Sequence, residues 1–267
     1  MSAVLKPSRD LMDEILDCGY WYHRIELPGG IVTPGWAPIE PALYQVPESL
    51  AGLRVLDVGA WDGYWSFEAL RRGARQMVAV DDFSDQVSDQ EWNNARPGPF
   101  VPWRTFDLCA EALGYSGSDR LIRYERSVYD LDATDGEFDV VLCFGVLYHC
   151  RHPLLAIDKL AERCPRGSIY VESAVCDRYS PYNITGYPGN QMVMEFYPGQ
   201  EYAGNPTNWW APTTLCLAQM VKAAGWPVTS AQAMTPSPDI PKERRMWYYR
   251  GFVQGHREDG KNANPEA

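Results

Sequence analysis

Basic charge is scarce in this sequence. Lys and Arg total 24 against 35 Asp and Glu, a formal net charge of -11. A polyanion is repelled on average by such a chain, which argues against a broad surface for nucleic acid or anionic lipid. Long apolar runs are also missing. The longest, Val140 to Tyr148, is far too short to span a bilayer, and the opening MSAVLKPSRD carries no apolar signal core. No Cys-x-x-Cys pair occurs. Seven cysteines stand singly at 18, 109, 143, 150, 164, 176 and 216, a pattern that disfavours a zinc ribbon or a secreted disulfide framework and points to reduced thiols in a cytoplasm. Gly and Pro follow no short period, which excludes collagen-like and low-complexity architecture.

What remains is an ordinary globular composition, 45% hydrophobic and 22% charged over 267 residues. At about 150 residues per domain this is one large domain or one domain with additions, long enough to bury a core without staples. Residues 7–18 read as a short amphipathic helix, followed by WYHRIELPGGIVTPGW, whose Pro and Gly residues exclude a long helix. Arg54 to Val58 is a buried-strand pattern, Tyr64 to Arg72 a helical run closed by Gly73, and Gln76 to Val80 a second strand ending in Asp81-Asp82. Strand, turn, helix and strand within about 30 residues is the βαβ signature of a parallel sheet. Further strands are read at 138–144, 168–172, 228–234 and 246–253, with helices at 154–163 and 213–224. The sum is an α/β, Rossmann-like, doubly wound sheet. Cys176 to Trp210, rich in Tyr, Pro, Gly and Asn, breaks the alternation and reads as an insertion over the carboxyl ends of the strands, where ligands sit in such sheets. The expected division is 1–50 as an extension contributing to the site, 51–255 as the main domain with 176–211 inserted as a cap, and 256–267 as a flexible polar tail.

The turn after the first strand reads Asp57-Val58-Gly59-Ala60-Trp61-Asp62-Gly63. A dinucleotide fingerprint needs a second glycine where Trp61 stands, so room for a pyrophosphate is poor. Gly59 and Gly63 keep the turn tight, and Asp81 lies at the distance of a ribose-binding acid. A nucleoside without a phosphate bridge fits this set better than a chance capping Asp and a chance strand-end acid.

VLDVGAWDGYWSFEAL resembles the first motif of class I S-adenosylmethionine-dependent methyltransferases, and FDVVLCFGVLY their fourth-strand motif. WYHRIELPGGIVTPGW, GVLYHCRHP and FYPG…PTNWWAP bring the resemblance closer to one branch, the tRNA wobble-uridine (carboxy)methyltransferase-like group, many of whose members are not tRNA enzymes. Sugar 1-O-methyltransferases of methylmannose polysaccharide synthesis are one kind of member it admits. The resemblance covers about residues 18 to 253. It implies a seven-strand sheet with a reversed strand at the edge. It also implies S-adenosyl-L-methionine over Asp57, Gly59, Ala60, Trp61 and Gly63, with Asp81 and Asp82 at the ribose, Val128 and Tyr129 at the adenine, and Gly145 and Leu147 at the methionine end. Trp61 departs from the glycine that many methyltransferases carry there.

Methyl transfer to a hydroxyl needs alignment and a proton acceptor. His149, just past the fourth strand, is the candidate base or substrate ligand, since imidazole titrates near neutrality; a loop histidine bonded only for structure is the plainer reading. Glu172 at a strand end is the second catalytic candidate, against a merely paired carboxylate. His152 reads as a cap for the following helix. Tyr22, His23, Tyr148, Trp209 and Trp210 are the substrate candidates, their flat apolar faces with polar edges suiting sugar rings; core packing is the competing role for Trp65 and Trp247. Magnesium is the metal that Glu172, Asp177 and His149 would suit if they met in space, although no spacing requires it. Arg120, Arg123 and Arg126, and Lys242, Arg244, Arg245 and Arg250, are the only basic clusters and read as solvated faces.

The expected activity is O-methylation of a small hydroxylated molecule, a sugar or oligosaccharide, with general-base and optionally metal-assisted help. A tRNA wobble-uridine enzyme and an inactive S-adenosylmethionine-binding module are the alternatives. Oligomeric state, including a homo-oligomer, is left open.

Overall fold

The structure, a computed structural model, describes residues 8–35, 37, 39–85, 100–236 and 248–258. Its centre is a seven-stranded sheet. The chain enters at β3 (Arg54–Val58), then β4 (Gln76–Asp81), β5 (Leu121–Glu125), β6 (Val140–Phe144), β7 (Gly167–Ala174), β10 (Val228–Met234) and β11 (Arg250–Arg257), in the spatial order β10-β11-β7-β6-β3-β4-β5. β11 runs antiparallel to both neighbours, and the other pairings are parallel. The reversed strand therefore lies one position in from the edge, with β10 outside it.

Helices α2 (Tyr64–Arg71), α3 (Arg104–Ala112), α4 (Pro153–Arg163) and α5 (Thr214–Ala223) flank the sheet. β3 and β6 are almost continuously apolar, and Val55, Leu56, Val141 and Leu142 are buried, as strands covered on both faces require. One layer packs Leu56, Val80, Val141 and Val171 against Ile157, Leu160 and Trp226. The opposite layer packs Val55, Met77, Leu142 and Phe252 against Trp65, Leu70 and Tyr170. Burial of each such large side chain is worth roughly 1.5–3 kcal/mol, which is what drives the layers together. Trp65 serves the core, as its helical spacing suggests.

The chain before the sheet folds as α1 (Ser8–Asp17) and the hairpin β1 (Glu26–Leu27) and β2 (Ile31–Val32), turning on Gly29 and Gly30 with positive φ. Leu11, Ile15, Trp21, Ile25 and Ile31 pack with Phe67, Phe83, Trp103 and Phe106. The insertion adds a second hairpin, β8 (Met194–Phe196) with β9 (Trp210–Pro212). Buried Glu195 joins it together by accepting from Ser180, Tyr187 and Tyr197 hydroxyls at 2.6–2.7 Å. At the far end, β11 continues through Gly255, His256 and Arg257 in register with β7. A side chain at Gly255 would strike Trp226 Cβ at 2.7 Å. The polar end thus stays in the sheet past the expected start of the tail; Met246 and Trp247 lie outside the described residues.

All seven cysteines are free thiols. Among the described residues no helix is long and apolar enough to cross a membrane.

Candidate functional site

The carboxyl ends of β3, β6 and β7 open into a cavity of about 290 Å³. The strands contribute Asp57, Gly59, Ala60, Trp61, Phe144, Gly145 and Glu172 to its wall. Tyr22, His23 and Tyr44 come from the N-terminal segment, Tyr202 to Asn205 and Asn208 from the insertion, and Arg250 from the start of β11. Tyr148, His149 and Asp85 also line it.

Gly59 adopts φ +69, and a Cβ there would meet Val146 Cγ2 at 2.5 Å. The backbone can make this turn, and lie this close to the loop after β6, only without a side chain. Asp57 is buried, accepts from Ser66 Oγ at 2.6 Å and is pushed up to about 7 by burial. Asp81 Oδ2 accepts the main-chain N–H of Trp61 at 2.8 Å and Oδ1 that of Phe83 at 2.7 Å. Burial pushes Asp81 up to about 8, with help from the charge of Asp85.

His149 Nδ1 lies 3.1 Å from the Thr207 carbonyl oxygen and 3.0 Å from its hydroxyl, which itself donates to Asn205. A carbonyl only accepts, so the proton sits on Nδ1 and the lone pair on Nε2. Nε2 is 3.7 Å from Asp85 Oδ2. Burial lowers the imidazole's pKa, so it is neutral near pH 7 and able to take a proton. Glu172 Oε1 lies 3.1 Å from Arg250 Nε, and burial pushes the carboxyl above its ordinary value. The Arg250 guanidinium stands 4.9 Å over the Tyr148 ring, and its Nη1 is buried without a hydrogen-bond partner among the described residues.

Of the site residues expected from sequence, Asp57, Gly59, Ala60, Trp61, Gly145, Tyr148, His149, Glu172, Tyr22 and His23 meet around this one cavity. The rest do not line it. Gly63 makes room for Phe67 and Phe106, since a Cβ there would be 2.6 Å from either ring. Leu147 and Val128 are core residues. Tyr129 accepts the main-chain N–H of His152 at 2.9 Å, at the start of α4, where His152 itself makes no side-chain cap. Asp82 accepts from Ser84 in an exposed turn. Trp209 donates its main-chain N–H to Tyr148 and carries Arg151 3.5 Å over its ring, while Trp210 packs on Phe196; both brace the insertion.

Glu172, Asp177 and His149 do not form a metal set. Asp177 Oδ2 caps α5 by accepting from Thr214 N at 2.8 Å, and Glu172 is paired with Arg250. Among the described residues no group of three or more His, Cys, Asp or Glu side chains is arranged to hold a metal. Of the basic clusters, Arg123 makes a two-pronged pair with Asp107, Arg126 pairs with Asp135, and Arg120 donates to Ala74 O. Lys242, Arg244 and Arg245 lie outside the described residues. Arg250 and Asp62 are among the residues here that had no reading from sequence as site residues. Arg250 was hidden in a run of charges, and Asp62 is a polar side chain inside a glycine loop.

A family model described as "Methyltransferase domain" matches residues 36–231. The tRNA U34 carboxymethyltransferase of Methylococcus capsulatus is 28% identical over 221 residues, covering 81% of this chain and 56% of that one. The tRNA U34 carboxymethyltransferase of Dichelobacter nodosus is 25% identical over 205 residues, covering 74% and 54%. The chain thus spans about half the length of the curated relatives it matches. Among solved structures, the N-terminal domain of EvdMO1 with SAH bound superposes with a TM-score of 0.60 at 17% identity, covering 97% of this chain and 100% of that one. Magnesium protoporphyrin IX methyltransferase (ChlM) from Synechocystis PCC 6803 with bound SAM gives 0.51 at 15% identity, covering 81% and 76%. At these identities the structural likeness is one of fold.

Proposed function

The chain belongs to the methyltransferase-domain family, and on that premise we propose that it methylates a hydroxyl of a compact polar acceptor, a sugar or oligosaccharide, using S-adenosylmethionine. The observation that carries this reading is His149, whose Nδ1 is held by Thr207 so that a neutral Nε2 is left to the acceptor. The cavity fits the donor. Gly145 leaves the backbone bare, Asp57 reaches the wall one residue before β3 ends, and aromatic faces from Tyr22 and Trp61 suit a positive sulfur. Asp57, Gly59, Ala60, Trp61 and Gly145 would hold it. Asp81, with both oxygens on main-chain amides, keeps second lone pairs for a ribose. When bound, S-adenosylmethionine supplies a methyl group on a sulfonium that leaves as a neutral thioether.

The chain's own residues do the rest. Tyr202, Asn205 and Asn208 line the cavity from the insertion. His149 and Glu172 engage the acceptor, His149 accepting a hydrogen bond from a hydroxyl beside the one that is methylated. Positioning of this kind contributes up to ~7–11 kcal/mol in the best model systems. The acidic balance favours a neutral acceptor over a polyanion.

A second reading has its own observation. The curated relatives are named for carboxymethyl transfer to tRNA, and a carboxymethyl group brings a carboxylate. Arg250, buried in the cavity wall with a free N–H, is the group that would pair with it.

Methyl-labelled S-adenosylmethionine incubated with neutral sugars and oligosaccharides, small phenols and unmodified tRNA, each with and without EDTA, separates the readings. Label in a sugar or oligosaccharide is the expected result. Label in tRNA alone, or transfer only from a carboxylated donor, overturns it.

A further inference from the structure

The cavity wall carries a second imidazole, and its surroundings differ from those of His149. Asp62 follows Trp61 in the glycine loop and is fully buried. Its Oδ2 accepts the main-chain N–H groups of Tyr22 at 2.9 Å and His23 at 2.8 Å, while its Oδ1 bonds His23 Nδ1. A carboxylate only accepts, so the proton sits on Nδ1 and Nε2 carries the lone pair. His23 lines the cavity with its side chain 10% exposed, and among the described residues Nε2 has no hydrogen-bond partner.

This placement is built, not incidental. Thr33 Oγ1 donates to His23 O at 2.7 Å, and Ala37 N donates to Tyr22 O at 2.9 Å. Gly35 presses so close that a Cβ there would lie 2.1 Å from the His23 carbonyl carbon. The Tyr64 ring lies 5.4 Å from the imidazole at an interplanar angle of 31°. Residues 21–35 thus fold back to hold one histidine against one aspartate of a distant loop.

We propose that His23, backed by Asp62, is the general base of this site, and that His149 orients the acceptor. The proposal rests on the reading above that a hydroxyl is methylated here. The two imidazoles differ in what stabilises the cation formed on proton uptake. His149 Nδ1 is held by neutral oxygens, and the Asp85 carboxylate stands 3.7 Å from its Nε2. His23 Nδ1 has a full negative charge in direct contact inside a dry wall, and charge-assisted hydrogen bonds are roughly twice as strong as neutral ones. A carboxylate so placed fixes the tautomer and compensates the imidazolium without itself being protonated. As the oxygen's lone pair forms the new O–C bond, its proton passes to His23 Nε2 and from there to solvent. The other titratable groups about His23 are Asp57 from β3, Tyr64 from α2 and Tyr22 beside it, with Glu40, Asp85, His149, Glu172 and Arg250 on the same cavity.

The test uses the whole chain with His23→Gln, Asp62→Asn and His149→Gln. Steady-state kinetics on an acceptor that wild type methylates, calorimetric binding of S-adenosylhomocysteine, and imidazole 15N NMR are the readouts. His23→Gln is expected to lower kcat by ~10²–10⁴-fold, with S-adenosylhomocysteine still bound. Asp62→Asn keeps an oxygen for the two main-chain amides but turns an N–H towards Nδ1. It should move the His23 proton to Nε2 in the NMR spectrum and cost kcat similarly. His149→Gln acts mainly on KM. Retained kcat in His23→Gln overturns the proposal even if Asp62→Asn fails to fold. A His23 proton found on Nε2 in wild type overturns it as well. Wild-type protein that methylates no acceptor removes the hydroxyl reading itself, and this proposal with it.

Discussion

The main-chain N–H of Trp61 donates to the carboxylate of Asp81, 20 residues on, at 2.8 Å. The same carboxylate takes the N–H of Phe83. Both donors belong to non-glycine residues with φ +50, a conformation that costs of order 1–3 kcal/mol and persists only when its surroundings enforce it. One aspartate therefore holds the glycine loop after β3 and the turn after β4 in a single arrangement. Asp81→Ala leaves two amides unpaired, at about 1–3 kcal/mol for each one that stays buried. Denaturant unfolding should show the loss, and calorimetry should show weaker S-adenosylhomocysteine binding. An unchanged unfolding midpoint would mean that other contacts hold the loop.

Stability should fall as pH rises through neutrality. Burial puts Asp57 at about 7 and Asp81 at about 8, above their unfolded values of about 4. The folded chain binds more protons than the unfolded one across that window. The contribution is therefore fully present below about pH 4 and lost through pH 7 to 8. His149 runs the other way: burial lowers its pKa, so its contribution is present above about 6.5 and lost on acidification. Melting temperatures across pH should decline on the alkaline side, less steeply in Asp57→Asn. An equal slope in that variant would remove Asp57 from the account.

Gly59→Ala combines a positive φ with a 2.5 Å approach to Val146 Cγ2. About 1–3 kcal/mol of stability should be lost to overpacking and strain, with donor affinity falling too. Val146→Ala in the same chain should return part of both by clearing the clash. Failure of the second change to help would place the whole cost in the backbone.

Arg250→Met leaves Glu172 buried beside no cation, a change expected to cost about 3–5 kcal/mol near pH 7 in urea unfolding. The cost should shrink in acid, where Glu172 protonates, since burial already pushes its carboxyl up. Arg250→Met with Glu172→Gln should be milder than Arg250→Met alone. Equal loss in both variants would show that Arg250 matters through packing on Tyr148 instead of through charge.

Much of the sheet was legible because its strands are buried on both faces and read as apolar runs between glycines. β3, α2, β4, β10 and α5 stand within a residue or two of their expected bounds. α3 gave no such signal: it starts at Trp103 in the left-handed region, without the Ser, Thr, Asp or Asn that marks a helix start. The polar edge strand β5 showed only as a spacing of arginines. Within the site, the glycine loop and the strand-end acids were visible because their chemistry demands fixed neighbours along the chain. Arg250 and Asp62 were not, because each acquires its partner across long sequence distance: Glu172 lies on the adjacent strand, and His23 lies 39 residues earlier. Trp209 and Trp210, read from sequence as a substrate platform, make contacts within and beside the segment they belong to.

The roof over the cavity is a separate hairpin with its own buried hub at Glu195. Residues 202–208 reach the ligand space from it, while the donor-facing loop belongs to the central sheet. On the function proposed above, the hairpin contributes to acceptor choice while the grip on the donor stays with the central sheet. A chimaera exchanging only this hairpin is expected to change which molecule receives the methyl group and to leave the affinity for S-adenosylhomocysteine where it was.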